Sequence, residues 1–298
     1  MRLRLLLPLS LATVLALPAC ADSFFFSTGN PDGKMAAASR PDTGVFEIET
    51  GDDFVLSTQT AIHSATFVGL LTGGATASDI GEVRVEIYRI FPKDSDVGRT
   101  SGPPTFSTAQ VPTRVNSPSD VAFDDRDTAS ANLSLTTSLL SASFTTLNSV
   151  QLGGIHPKPN QTTGGDGAAT GEEVQFDVTF STPFDLPADH YFFIPQVEVS
   201  GGDFLWLSAP RPIVAPGTPF PAGSTDLQAW TRDQFLDPDW LRIGTDIVGP
   251  PATGGPAPTF NMTFSLTGET VPEPSSCILL GSALLAFAAA GRKKLHRG

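Results

Sequence analysis

Residues 83–88 set apolar Val83, Val85 and Ile87 against Arg84, Glu86 and Tyr88. The same alternation places Val174, Phe176, Val178 and Phe180 against Gln175, Asp177 and Thr179. It returns where Phe260, Met262, Phe264 and Leu266 interleave with Asn261, Thr263 and Ser265. A period of two marks a strand with one buried and one wet face. Fainter strand signals lie at residues 23–27, 45–49, 54–57, 62–70, 121–124, 132–136, 191–199, 204–207 and 227–231. Between residues 22 and 270 no stretch keeps helical spacing over three turns.

Long punctuated stretches separate these strands, at residues 92–120, 156–171, 209–224 and 249–258. Their glycines and prolines suit connections at strand ends, and no sequence repeats at a fixed period. The expected fold class is all-β. Residues 22–270 are expected to form one antiparallel β-sandwich, jelly-roll-like, with its edges guarded by twist, proline and loops. The segment after residues 249–258 is too short to fold alone and is expected to pair within the same sheet.

Composition sharpens this picture. With 28 glycines and 26 prolines the chain favours turns over long helices, and 40% hydrophobic residues suffice for a packed core. The formal charge is −13, but six basic residues sit at the two ends. Residues 22–271 hold 12 basic against 30 acidic residues, a balance of −18. Such a surface repels phosphates, so no nucleic-acid partner is expected. Both cysteines, Cys20 and Cys277, lie in the end segments, so the body must stand on its core without disulfides.

The ends carry signals of their own. Arg2 and Arg4 precede an apolar run from Leu5 to Leu17, and Ala19-Cys20-Ala21 supplies small residues. That order describes a secretory signal peptide over residues 1–21, cleaved after Ala21. An alternative is a lipoprotein signal, since Leu17-Pro18-Ala19-Cys20 resembles a lipobox with a proline in an awkward place. At the other end, residues 277–291 are apolar and Arg292, Lys293 and Lys294 follow at once. Fifteen helical residues span about 22 Å, short of a usual bilayer crossing. A C-terminal transmembrane helix of this length suits temporary retention, with the basic cluster on the cytoplasmic side and the body outside.

Val271-Pro272-Glu273-Pro274-Ser275, an apolar helix and a basic terminus together resemble the PEP-CTERM sorting domain of Gram-negative bacteria. The resemblance covers residues 271–298. It implies an exosortase as partner, a membrane-embedded enzyme that processes such tails, often in organisms that make exopolysaccharide. By that likeness Pro272, Glu273 and Pro274 form the recognition element and Arg292, Lys293 and Lys294 the membrane stop signal. Prolines keep the segment extended and accessible to a processing enzyme. The route so implied passes through the inner membrane, with the body in the periplasm, to the cell surface or extracellular matrix.

Catalytic and ligand-binding signals in the body are sparse. His63, His156 and His190 are not clustered, and neither a nucleophile elbow nor a phosphate-cradling glycine loop is present. The acidic groups Asp52-Asp53, Asp124-Asp125-Arg126-Asp127, Glu172-Glu173 and Asp237-Pro238-Asp239 could include two glycosidase carboxylates. Asp124–Asp127 reads first as a solvated turn and second as a calcium loop without EF-hand spacing; no other cofactor is expected. Trp206, Trp230 and Trp240 each lie near an acid, and exposed indoles stack on sugar rings. Core packing competes with that use, and Trp240 in Asp-Pro-Asp-Trp is the one expected to be exposed.

Three classes of function follow as expectations. The first is an exported, non-catalytic surface or extracellular-matrix protein sorted by its tail. The second is a carbohydrate-binding module associated with exopolysaccharide, using Trp240, Trp230 and Trp206. The third is a secreted glycoside hydrolase.

Overall fold

The computed structural model describes residues 21–99, 111–155 and 162–271. The signal peptide apart from Ala21, His156, and the tail from Pro272 through Arg292, Lys293 and Lys294 to residue 298 lie outside the described residues. Among the described residues no helix is long and apolar enough to cross a membrane.

The described chain is all-β. In order its strands are β1 (Ser23–Ser27), β2 (Met35–Ala38), β3 (Ile48–Leu56), β4 (Thr60–Leu71) and β5 (Ile80–Arg89). Then come β6 (Asp124–Asp127), β7 (Leu133–Thr146), β8 (Asn148–Val150), β9 (Ala169–Leu186) and β10 (Asp189–Val199). The last five are β11 (Phe204–Ala209), β12 (Trp230–Asp233), β13 (Leu241–Arg242), β14 (Asn261–Met262) and β15 (Phe264–Thr270).

Two sheets result. The six-stranded one runs β13-β12-β3-β10-β5-β6 and is antiparallel throughout. The nine-stranded one is built around β4, which pairs β9 along one side and β15 followed by β11 along the other. Beyond β9 lies β7, beyond β15 lies β1, beyond β11 lie β2 and β8, and β14 pairs with β11 as the ninth strand. The β2–β8 pair is parallel, a departure from the all-antiparallel expectation.

One apolar layer joins the sheets. Phe193 of β10 stacks on Phe264 of β15 at 5.0 Å, and Phe67 of β4 lies 6.3 Å from Phe193. Phe67 in turn stacks on Phe176 of β9 at 4.9 Å, directly opposite in register. Phe204 enters this layer only because residue 69 is glycine: a Cβ there would stand 2.1 Å from the Phe204 ring. A second, smaller cluster covers the outer face of the six-stranded sheet, where Tyr88, Phe192 and Ile194 meet Leu227, Trp230 and Trp240. Tyr88, placed on the wet side by alternation, is therefore buried.

Some elements differ from the sequence reading. β3 runs unbroken through Gly51-Asp52-Asp53, which reads as a gap between two short strands. Asp124–Asp127 is an edge strand and not a turn: it pairs with Arg84–Ile87 of β5, and Arg126 holds Asp124 in an ion pair while lying 4.4 Å over the Phe184 ring. The alternation at residues 260–266 is split at Thr263. Its hydroxyl donates to Val68 O and Leu207 O, at the point where the chain leaves β11 for β4.

Candidate functional site

Trp206, Trp230 and Trp240 are each 2% exposed or less, which corrects the expectation of an exposed Trp240 and removes the stacking face offered to a sugar. Trp206 sits on the inner face of β11 between Phe193 and Phe264, and its Nε1 donates to Thr263 O at 2.7 Å. Trp240 is buried because the Asp237-Pro238-Asp239 turn folds back on the sheet. Its Nε1 donates to Ser119 O at 3.0 Å, and its ring carries the Arg232 guanidinium at 4.3 Å. Trp230, at the start of β12, lies under Arg242 at 5.8 Å. The three do not form one surface.

Of the histidines, His63 is the extra residue of a bulge in β4, between Ile62 and Ser64. His190 belongs to the most chemically distinctive group in the body. That group begins with Asp52 and Asp53, adjacent on β3 and so directed to opposite faces of the sheet. Asp52 turns inward, where its Oδ2 accepts the Met262 N–H at 2.7 Å and its Oδ1 is buried without a hydrogen-bond partner. Asp53 turns to the other face. It accepts the Leu227 N–H at 3.1 Å, and its Oδ2 stands 2.5 Å from His190 Nε2.

Asp226, one residue before Leu227, completes the arrangement. Arg211 donates to its Oδ1 at 2.9 Å and to its backbone O at 2.6 Å, and also reaches Leu227 O and Asn261 Oδ1. Asn261 Nδ2 closes the ring by donating to Asp226 Oδ2 at 3.1 Å. A cleft of about 190 Å³ opens beside it, lined in part by Arg211, Asp226, Gln228, Trp230 and Arg242.

Burial governs the proton chemistry here. It pushes the Asp52 carboxyl well above the usual range, helped by the charges of Asp53 and Asp226. Burial likewise raises Asp53, against the Leu227 N–H, and raises Asp226, against the Arg211 guanidinium. It lowers His190 to about 4, although Asp189 and Asp226 favour its cation. The Asp53–His190 contact, at 2.5 Å, lies where burial disfavours the charged form of both groups.

A second buried network ties the outer cluster together. Arg232 bonds both oxygens of Glu49, donates to the Tyr88 hydroxyl at 3.0 Å and pairs with Asp237 at 2.8 Å. The Tyr88 hydroxyl donates to Glu49 Oε1 at 2.6 Å, and burial raises its pKa. These groups satisfy one another, as buried ions must.

Both networks act as ties between distant segments. Asp53 joins β3 to the loop before β12, Asp52 joins β3 to β14, and Arg211 joins the loop after β11 to both. Among the described residues no group of three or more His, Cys, Asp or Glu side chains converges as metal ligands would. Asp52 and Asp53 were legible as an acidic pair; Arg211, Asp226 and Asn261 were not, because nothing in their spacing announces contacts made across the fold.

Residues 270–294 match the PEP-CTERM protein-sorting motif. The match spans Pro272, Glu273 and Pro274 at one end and Arg292, Lys293 and Lys294 at the other, as the resemblance of the tail implied. Searches of curated proteins and of solved structures find no match. The motif marks an exported protein sorted through the membrane and processed by an exosortase.

Proposed function

We propose, from the sorting motif at residues 270–294, that this chain is a non-catalytic surface or extracellular-matrix protein. In this reading the signal peptide starts export, the apolar residues 277–291 hold the chain in the inner membrane, and exosortase processing frees the body. The body is a two-sheet sandwich of jelly-roll kind that serves as a structural unit outside the cell.

The observation that carries this reading is the match of residues 270–294 to the sorting motif. The body supports its structural half. Its most distinctive side chains, Asp52, Asp53, Asp226 and Arg211, spend their hydrogen bonds on backbone groups and partners of distant segments. That pattern suits a domain that must hold its shape without disulfides.

Fractionation of host cells tests the proposal. Replacing Pro272, Glu273 and Pro274 together with alanine is expected to move the protein from the exterior to the inner-membrane fraction as an unprocessed chain. Unchanged release of the triple variant would overturn it.

A further inference from the structure

The free edges of the two sheets differ sharply. On the six-stranded sheet the outermost strands are β13, only two residues long, and β6, charged at all four positions. On the nine-stranded sheet β8 has three residues and β1 five. β7 has fourteen, and among the described residues it pairs with β9 alone. Among the described residues, residues 133–146 make no backbone-to-backbone hydrogen bond outside that ladder. Every second N–H and C=O along β7 therefore points away from the sheet, as a template for another strand.

Proteins usually blunt such an edge with charge, proline or bulges. Residues 128–155 contain no Asp, Glu, Lys, Arg or Pro, in a body whose balance is −18. Bulges do interrupt β7, between Leu139 and Ser141 and between Ser141 and Phe144. They leave residues 133–139 in unbroken register with residues 174–180. Within that segment Ser134, Thr136 and Ser138 are exposed on one face, and on the other Leu139 is 57% exposed beyond the end of the core.

From this edge we infer that the body self-associates: two copies pair antiparallel through residues 133–139, about a two-fold axis at Thr136. In that register Leu133 lies opposite Leu139 of the second copy, Ser134 opposite Ser138, and Leu135 opposite Thr137. Leu139 then stands beside the partner's Leu133, which is 4% exposed in its own core, and the hydroxyl residues form cross-strand pairs of a favourable kind.

Charge selects a second copy of this chain as the occupant. Elsewhere two bodies of the same strong negative sign repel, whereas this strip brings them together without opposing any charged residues along its length. The nearest carboxylate in register is Asp177 of β9, opposite Thr136. Across the paired strands the two Asp177 residues stand three strand spacings apart, about 14 Å, beyond the screening length of about 8 Å at physiological salt. Because the remaining repulsion is between whole bodies, added salt strengthens the pairing.

The pairing rests on the body and holds whether or not the tail is processed. Sedimentation equilibrium of the protein as its host releases it is expected to give twice the chain mass at tens of micromolar, with a Kd that falls as salt rises. Thr136→Asp sets like charges directly opposite at the axis and is expected to raise Kd about tenfold. Thr136→Cys, close to isosteric at an exposed position, is expected to form a disulfide between two copies under mild oxidation, mapped by peptide mass. This second variant keeps the test decisive should the first fail to fold. A monomer throughout the concentration range would overturn the inference. So would a dimer that Thr136→Asp leaves intact and that Thr136→Cys does not cross-link.

Discussion

Asp52 and Asp53 are neighbours in sequence that serve opposite faces of one strand, and their burial makes the body's stability depend on pH. A carboxyl whose pKa is raised by folding contributes stability that is whole below its unfolded value, about 4, and is lost as pH rises through the folded value. Asp52, Asp53 and Asp226 all shift in that direction. His190 has the opposite sign. Lowered to about 4, it contributes stability that is present above its unfolded value of about 6.5 and is lost as pH falls. The two slopes oppose each other between about pH 4 and 6.5; above that window only the carboxyl loss remains. Urea midpoints are therefore expected to decline from pH 6.5 to 9 and to do so less steeply in Asp52→Asn, which still offers an oxygen to the Met262 N–H. Equal slopes in the two proteins would show that Asp52 does not ionise at the cost of the fold.

At the scale of elements, legibility in the sequence followed the exposure of each strand. β5 and β9 alternate because one of their faces is less deeply buried, so their buried sets, Val83, Val85, Ile87 and Val174, Phe176, Val178, stood out. β2 is buried on both sides and spelled Met-Ala-Ala-Ala, which carries no strand preference. Gly51-Asp52-Asp53 has the composition of a turn, and only the distant Met262 and Leu227 N–H groups make it tolerable inside β3. β7 was seen only over residues 132–136, because its serines and threonines face solvent on a sheet that the second layer does not fully cover. The candidate site was harder still: its bonds join residues as far apart as Asp52 and Met262, a relation no local pattern encodes.

Gly69 gives the element scale its own test. It lies where β4 passes under the Phe204 ring, with Leu205 O also 2.9 Å from the position of a Cβ. Gly69→Ala forces that ring or the β11 backbone to move, an overpacking cost of about 3 kcal/mol. For a domain of this size that corresponds to a Tm lower by about 6–12 °C in calorimetry. Gly153→Ala, with nothing within 4 Å, serves as the control and is expected to leave Tm in place. Equal Tm values for the two variants would contradict the close packing of β4 on β11.

The whole molecule divides by charge and greasiness into parts with separate tasks. An acidic, cysteine-free body of two packed sheets lies between an apolar leader and an apolar segment closed by Arg292, Lys293 and Lys294. The tail was readable from sequence because a membrane signal is written in the order of its parts, an extended motif, a greasy run and fixed positive charge, and needs no tertiary contacts to be recognised. The body's role was less so, since structural units and binding modules share the same strand alternation.

Sorting through the tail is best tested by the intact mass and terminal peptides of the protein recovered from the host's exterior. The expected form begins at Asp22 and lacks the apolar residues 277–291. A released form that still ends at Gly298 would contradict the account.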